Sequence, residues 1–174
     1  LAENHERAAR TDELTGLANR RDMHNRLTGE FSRYQRSGHH FSIALIDLDL
    51  FKKINDHYGH DAGDEVLRQF AALMQTVIRQ TDVAGRWGGE EFLFVLPETP
   101  ENNAVMLAEK IRQTLAQNPI LLDGKRIEVS ASFGVCEVNG DVELNRALSL
   151  ADKALYKAKS MGRNCVVAAT QLSD

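Results

Sequence analysis

The run Phe41-Ser-Ile-Ala-Leu-Ile46 is apolar at nearly every position and ends in Asp47-Leu48-Asp49. It has the length of a strand, and a strand without polar alternation must be buried on both faces. The chain therefore needs a sheet with helices against it, and this run is the expected central strand. Met23, Leu27, Phe31 and Tyr34 mark one face of a helix from about residue 19 to 37. Val66, Leu67, Phe70, Leu73, Met74, Val77 and Ile78 mark a second, from about 61 to 79. Thr99-Pro100-Glu101 reads as an N-cap followed by proline at the first helical position, opening a helix through Ala104, Leu107, Ile111 and Leu115. Residues 126–136 alternate strictly, with Ile127, Val129, Ala131, Phe133 and Val135 on one face, as a half-buried strand does. A last helix from about 142 to 161 stops at Gly162, and residues 164–168 can form a closing strand. The order helix, strand, helix, hairpin, helix, strand, helix, strand implies an α/β (α+β) fold with a mixed sheet flanked by helices.

At 174 residues, with 43% hydrophobic content and three prolines, one core suffices, and no apolar run approaches the ~18 residues of a membrane span. We expect a soluble, cytoplasmic domain with no direct membrane contact. A net charge of -4 gives no general attraction to nucleic acid, so any polyanion must be handled by local cations and metal ions. Cys136 and Cys165 lack metal or redox spacing and read as reduced core thiols. The polar opening, residues 1–10, is expected to be the end of a helical linker from an upstream sensory or regulatory region, with the domain proper over 11–174.

The sharpest chemical signal is Arg86-Trp87-Gly88-Gly89-Glu90-Glu91-Phe92. Lying between two strand-like segments, the glycines read as a two-residue hairpin turn, where positive φ favours glycine. A backbone without Cβ atoms admits a phosphate, and the adjacent acids can hold a cation. Alone, the tetrapeptide is better read as an ordinary solvated turn. Upstream, Asp47 and Asp49 point the same way with the Leu48 carbonyl between them. If the hairpin lies beside this strand, Asp47 and Glu90 converge into a hard oxygen site suited to Mg²⁺, for one ion or for two spaced about 3.5–4 Å apart. The alternative, that the aspartates merely end a strand, is weakened by the desolvation cost of carboxylates so placed.

The block from Asp47 through Phe51-Lys52, Asn55-Asp56 and Gly59-His60 to Gly63-Asp64, together with Asp12-Glu-Leu-Thr-Gly-Leu-Ala-Asn-Arg-Arg21 and the Gly-Gly-Glu-Glu-Phe loop, resembles the GGDEF domain of bacterial diguanylate cyclases. The resemblance covers almost everything beyond residue 10, in a variant with Glu where the family name has Asp. It implies a mostly antiparallel sheet like the polymerase palm and the class III nucleotidyl cyclases, and condensation of two GTP into cyclic di-GMP with release of two pyrophosphates.

By the same resemblance, Asp47, the Leu48 carbonyl, Glu90 and Glu91 are the Mg²⁺ ligands, with Mn²⁺ able to substitute, and Glu90 and Glu91 are the catalytic acids. Phe51, Lys52, Asn55, His60, Asp64, Lys159 and Arg163 are the substrate-binding positions. Asn55 and Asp64 are similar to the pair that reads guanine; a carboxylate can accept from both N1-H and the exocyclic amine, a donor pair adenine lacks. Asp64 read alone is an acid in the first turn of a helix that Asp61 can cap, and Lys159 read alone is a cation at a helix C-terminus. Arg79-Gln-Thr-Asp82 stands where family members carry an inhibitory site for the product. Arg79 can pair with phosphate or stack on guanine, and Asp82 can accept guanine donors; a helix-end arginine and a turn aspartate are the plain alternative. One domain holds one GTP, so catalysis implies a homodimer with sites facing. A catalytically silent module that binds GTP or cyclic di-GMP is the alternative function.

Overall fold

The computed structural model describes residues 9–173. Most of the expected linker, residues 1–8, lies outside them. Helix α1 (Arg20–Ser37) is fixed at both ends, since the Asn19 side chain accepts the Asp22 amide and Gly38 turns left-handed at φ 74°. Strand β1 (Phe41–Leu48) follows, buried at every position as its composition required. The next helix differs from expectation. Instead of one helix from 61, there are two, α2 (Phe51–Tyr58) and α3 (His60–Val77), separated by Gly59 at φ 93°. Asp61 does not cap α3; the left-handed glycine starts it without any side-chain cap.

The hairpin consists of β2 (Val83–Arg86) and β3 (Glu91–Pro97), joined by residues 87–90. Neither Gly88 nor Gly89 has a left-handed φ, so the expected reason for glycine does not hold. The loop is wider than a two-residue turn, with both the Trp87 and Gly88 amides donating to the Glu91 carbonyl. What the glycines leave is room, for nothing lies within 4 Å of where a Gly89 Cβ would stand.

Helix α4 spans Glu101–Gln117 with Pro100, not Thr99, at its N-cap. The first turn is satisfied from outside, Glu137 accepting the Glu101 amide at 2.7 Å. The single strand expected over 126–136 is broken. Asp123 (φ 50°) and Gly124 (φ 80°) make a tight turn that pairs β4 (Ile120–Leu122) with β5 (Lys125–Ile127) as a separate hairpin. The sheet strand proper is β6 (Ala131–Val138), buried on both faces because it is interior. Helix α5 (Leu144–Ser160) and β7 (Val166–Ala168) finish the domain.

The sheet order β2-β3-β1-β6-β7 puts β1 at the centre. All pairings are antiparallel except β6 with β7, as a mixed, mostly antiparallel sheet requires. Along β1, Ala44, Ile46 and Leu48 pack with α3 and α4. Phe41, Ile43 and Leu45 pack with α1 and α5. This period of two decides the site, because it puts Asp47 on the α5 face. Gly134 of β6 brings α5 close: a Cβ there would stand 2.1 Å from the Ala151 carbonyl oxygen and 2.4 Å from the Leu155 nitrogen. Among the described residues, no helix is long and apolar enough to cross a membrane.

Candidate active site

The end of β1 meets the acidic hairpin. Asp47 lies directly opposite Glu91 in the β1/β3 ladder, so the two carboxylates share one face. Glu90, the partner expected for Asp47, is one residue outside the ladder, and its carbonyl accepts the Leu48 amide at 3.2 Å. Burial pushes the Asp47 carboxyl above its ordinary range; Lys159, hydrogen-bonded to it from the end of α5, opposes that rise, while Glu90 and Asp49 add to it. Glu91 is also raised, by burial first and then by Asp47. Like charges facing each other on partly buried strands destabilise a sheet. A divalent cation would relieve both groups.

The ligand set is not gathered in advance. Among the described residues, no three His, Cys, Asp or Glu side chains stand together as a metal cage. Asp47 is held by Lys159 instead, so a cation must compete with that ammonium for the carboxylate. Asp49, which the sequence placed beside Asp47, is not free to ligate. Its oxygens accept from Ser130 Oγ and Ser132 Oγ, each at 2.7 Å, and from the Asn164 amide at 3.0 Å.

A second group forms at the α2/α3 corner. Leu50 is left-handed at φ 56° and α2 starts without a side-chain cap, which leaves the Phe51 and Lys52 amides as first-turn donors. Asn55 is partly buried, and its Oδ1 is a buried acceptor with no hydrogen-bond partner. It fits there because residue 63 is glycine: a Cβ on Gly63 would lie 1.8 Å from that oxygen. The next residue, Asp64, is half-buried, and His60 at the start of α3 is exposed. A buried acceptor without a partner, packed against the residue that precedes Asp64, marks this corner as one where a donor is missing.

The third group follows α5. Lys159 sits in its last turn, and Gly162, Arg163 and Asn164 are consecutively left-handed at φ 114°, 65° and 50°. The Arg163 side chain is exposed.

Arg79 and Asp82 are far from these groups, at the other end of the sheet. Arg79 makes a two-pronged contact with Asp82, Nε to Oδ2 at 3.2 Å and Nη2 to Oδ1 at 2.8 Å, and also donates to the Pro97 carbonyl and the Thr99 hydroxyl. Thr99 is thus occupied by Arg79 rather than by the helix it was expected to cap. The pair opens onto a cavity of about 270 Å³ shared with Asn103, Met106 and Leu107.

A sequence model of the family described as Diguanylate cyclase, GGDEF domain, matches residues 9–165. The chain belongs to the GGDEF family. The response regulator PleD of Caulobacter vibrioides is 43% identical over 160 residues, which are 90% of this chain and 35% of PleD. This GGDEF domain thus spans about a third of that relative's length. Among solved structures, the coiled coil and GGDEF domain of DgcB from Caulobacter crescentus, in complex with c-di-GMP, superposes with a TM-score of 0.91 at 30% identity, covering 96% of this chain and 89% of that one. The active GGEEF domain of a diguanylate cyclase from Vibrio cholerae superposes with a TM-score of 0.83 at 39% identity, covering 90% of this chain and 99% of that one. GGDEF diguanylate cyclases are in general divalent-metal dependent, in keeping with the acid pair here.

Three contributors escaped the sequence reading of this GGDEF domain. Gly63 stands in the block that carries the family resemblance, but its spacing does not reveal the room it leaves for Asn55. Thr99 reads from the sequence as a cap, and Asp49 as an acid pointing the same way as Asp47 with no role of its own. Their roles depend on contacts between distant segments, which spacing does not reveal.

Proposed function

We propose that this domain condenses two GTP into cyclic di-GMP, releasing two pyrophosphates. The observation that carries the reading is the Asp47/Glu91 cross-strand pair, two carboxylates held above their ordinary range beside Glu90 on a glycine-opened loop. Asp47, Glu90, Glu91 and the Leu48 carbonyl would hold one or two Mg²⁺, with Mn²⁺ as a substitute; all are hard oxygen donors. Bound there, the ion would polarise the α phosphorus and lower the pKa of the attacking 3′ hydroxyl.

The chain's own residues supply the rest. Asp64 accepts the guanine N1-H and one amine hydrogen, and the orphaned Asn55 Oδ1 accepts the other. His60 stands exposed at the same corner to contact substrate. The Phe51 and Lys52 amides and the cations of Lys159 and Arg163 hold the triphosphate. Glu90 is offered to the 3′ hydroxyl proton. The oxygen of that hydroxyl bonds to the α phosphorus of a second GTP as the bond to pyrophosphate breaks. Each domain holds one GTP, so two copies must face each other, and holding both substrates in place supplies much of the rate. Product binds Arg79 and Asp82 and restrains the enzyme. An upstream region brings the copies together.

A version forced to dimerise, given GTP and Mg²⁺, should yield cyclic di-GMP, and Glu90→Gln should abolish it with the fold intact. GTP bound without product in the dimer would favour a silent signalling module. Turnover retained in Glu90→Gln would mean that the acid site is misassigned.

A further inference from the structure

The loop after α5 is strained and carries a residue that needs accurate placement. Arg163 and Asn164, neither of them glycine, lie in the left-handed region at φ 65° and 50°, directly after Gly162 at 114°. Asparagine adopts this region readily, whereas an arginine persists there only where surrounding contacts hold it. The Arg163 amide closes the end of α5 on the Ala158 carbonyl at 3.1 Å, and the contacts on Asn164 come from Asp49, just past the central strand. Asp49 is 7% exposed, and its Oδ2 accepts the Asn164 amide at 3.0 Å and Ser130 Oγ at 2.7 Å, while Oδ1 accepts Ser132 Oγ at 2.7 Å. Ser132 is fully buried, and its hydroxyl oxygen accepts the same Asn164 amide at 3.2 Å. The Asp49 amide donates to the Ser130 carbonyl at 2.9 Å, so the carboxylate is fixed at both ends.

We propose that Asp49 is a positioning residue for Arg163: its carboxylate holds the left-handed Arg163–Asn164 turn so that the guanidinium is presented to the triphosphate. The inference rests on the reading of Arg163 as a phosphate-binding residue. Two tethers run to this segment from the end of β1 and the turn just past it, Asp47 to Lys159 and Asp49 to the Asn164 amide. They differ in kind. Lys159 is a flexible side chain on a carboxylate that other ligands can claim, whereas Asp49 holds backbone with both oxygens committed. When Lys159 leaves Asp47 for a phosphate, the Asp49 tether still holds Arg163 in place. A buried carboxylate accepting three hydrogen bonds is a stronger anchor than a neutral side chain of the same shape.

The test measures binding of GTP and of GMP by calorimetry in EDTA, so that metal at Asp47 does not enter. Asp49→Ala should weaken GTP about tenfold, the loss of roughly one charge-assisted contact, and leave GMP unchanged. Asp49→Asn should restore most of the GTP affinity, because its amide oxygen can accept from Asn164 while its NH₂ donates to Ser132. Arg163→Ala should match Asp49→Ala, with no further loss in the double variant. Folded Asp49→Ala with unchanged GTP affinity, or with equal losses for GTP and GMP, overturns the proposal. If Arg163→Ala itself leaves GTP binding unchanged, the reading of Arg163 fails instead. Should Asp49→Ala melt at assay temperature, Ser130→Ala, which removes one of the donors fixing the carboxylate, takes its place. A two- to threefold selective loss of GTP affinity is then expected, and none refutes the anchor.

Discussion

Adding one methyl group at Gly63 tests the base-recognition corner. Gly63 lies within α3 at an ordinary helical φ, so alanine is free of backbone strain and gains about 1 kcal/mol of helix propensity. The obstacle is the Asn55 side chain. The new Cβ would lie 1.8 Å from Oδ1, 2.9 Å from Cγ and 3.1 Å from Phe51 Cζ, where real Cβ contacts do not fall under 3.0 Å. Oδ1 must therefore retreat by at least about 1.2 Å, more than the whole 2.7–3.2 Å range of a hydrogen bond. Overpacking costs about 1–3 kcal/mol, so net stability should fall by no more than about 2 kcal/mol. The functional loss is one hydrogen bond to a ligand, about 1–3 kcal/mol, or roughly 5- to 150-fold in affinity.

Inosine triphosphate makes the assay specific, because it lacks the exocyclic amine that Asn55 is assigned to meet. The wild-type domain should prefer GTP over inosine triphosphate. Gly63→Ala should reduce that preference by about tenfold with little effect on inosine triphosphate itself. Asn55→Ala should do the same, and the double variant no more. A Gly63→Ala protein that melts near wild type and keeps its preference would show that the orphaned oxygen does not read the base.

Removing the ammonium in Lys159→Met takes away the group that holds the Asp47 carboxyl down against burial. Because metal needs the deprotonated form, the acid limb of the activity profile should move to higher pH, and an unmoved limb would refute the coupling. Glu91→Gln should stabilise the metal-free protein at neutral pH, because a half-buried carboxyl with a raised pKa is most costly above that pKa; the rise in Tm should shrink as pH falls through the raised value and be gone below the ordinary carboxylate range. Arg79→Ala should relieve product inhibition in the dimeric enzyme, and an unchanged inhibition constant would remove Arg79 from that role. Thr99→Ala, which strips one acceptor from the Arg79 guanidinium, should shift the same constant less.

The parts that were legible in the sequence are those set by local pattern. The uninterrupted apolar run of β1 announced an interior strand, and the spacing of Val66, Phe70 and Met74 announced α3. Asn19 and Gly38 bound α1 within a residue of where their capping chemistry puts the ends. The failures lie where two distant segments decide the outcome. Thr99-Pro100 is a good helix start by itself, yet the hydroxyl is claimed by Arg79 and the first amide by Glu137. Residues 126–136 alternate as one strand, but the Asp123-Gly124 turn, a signal present in the sequence, diverts their beginning into a separate hairpin. The glycines of the acidic loop lie at the hairpin tip as their pattern implies, but in a wider loop than a two-residue turn and without positive φ. In the site, the acids could be read and their pairing could not. Register alone decides that Asp47 faces Glu91 and not Glu90.

Register also bears on how product at the site proposed on Arg79 could restrain the chemistry proposed at Asp47. Ser42 Oγ donates to the Thr99 carbonyl and so marks the Arg79 end of β1, five residues from Asp47. At about 3.4 Å per residue the two ends are roughly 17 Å apart, too far for one small ligand to bridge within a domain. A relay through the hairpin would have to pass along β2, which starts just after Asp82 and ends at Arg86, whose guanidinium grips the Gly89 carbonyl at 2.9 Å and Asp12 at 3.3 Å. But β2 is paired along its full length with β3, and β3 with β1. A paired ladder in a close-packed core passes a signal only if its register or packing has a second stable arrangement. A slip of one residue would turn Glu91 and the whole apolar set of β3 to the opposite face, at a cost far beyond what a ligand on Arg79 returns. For the inhibition proposed at Arg79, the geometry therefore favours restraint exerted outside the sheet, on how the two proposed copies approach each other, over distortion of the acid loop from within.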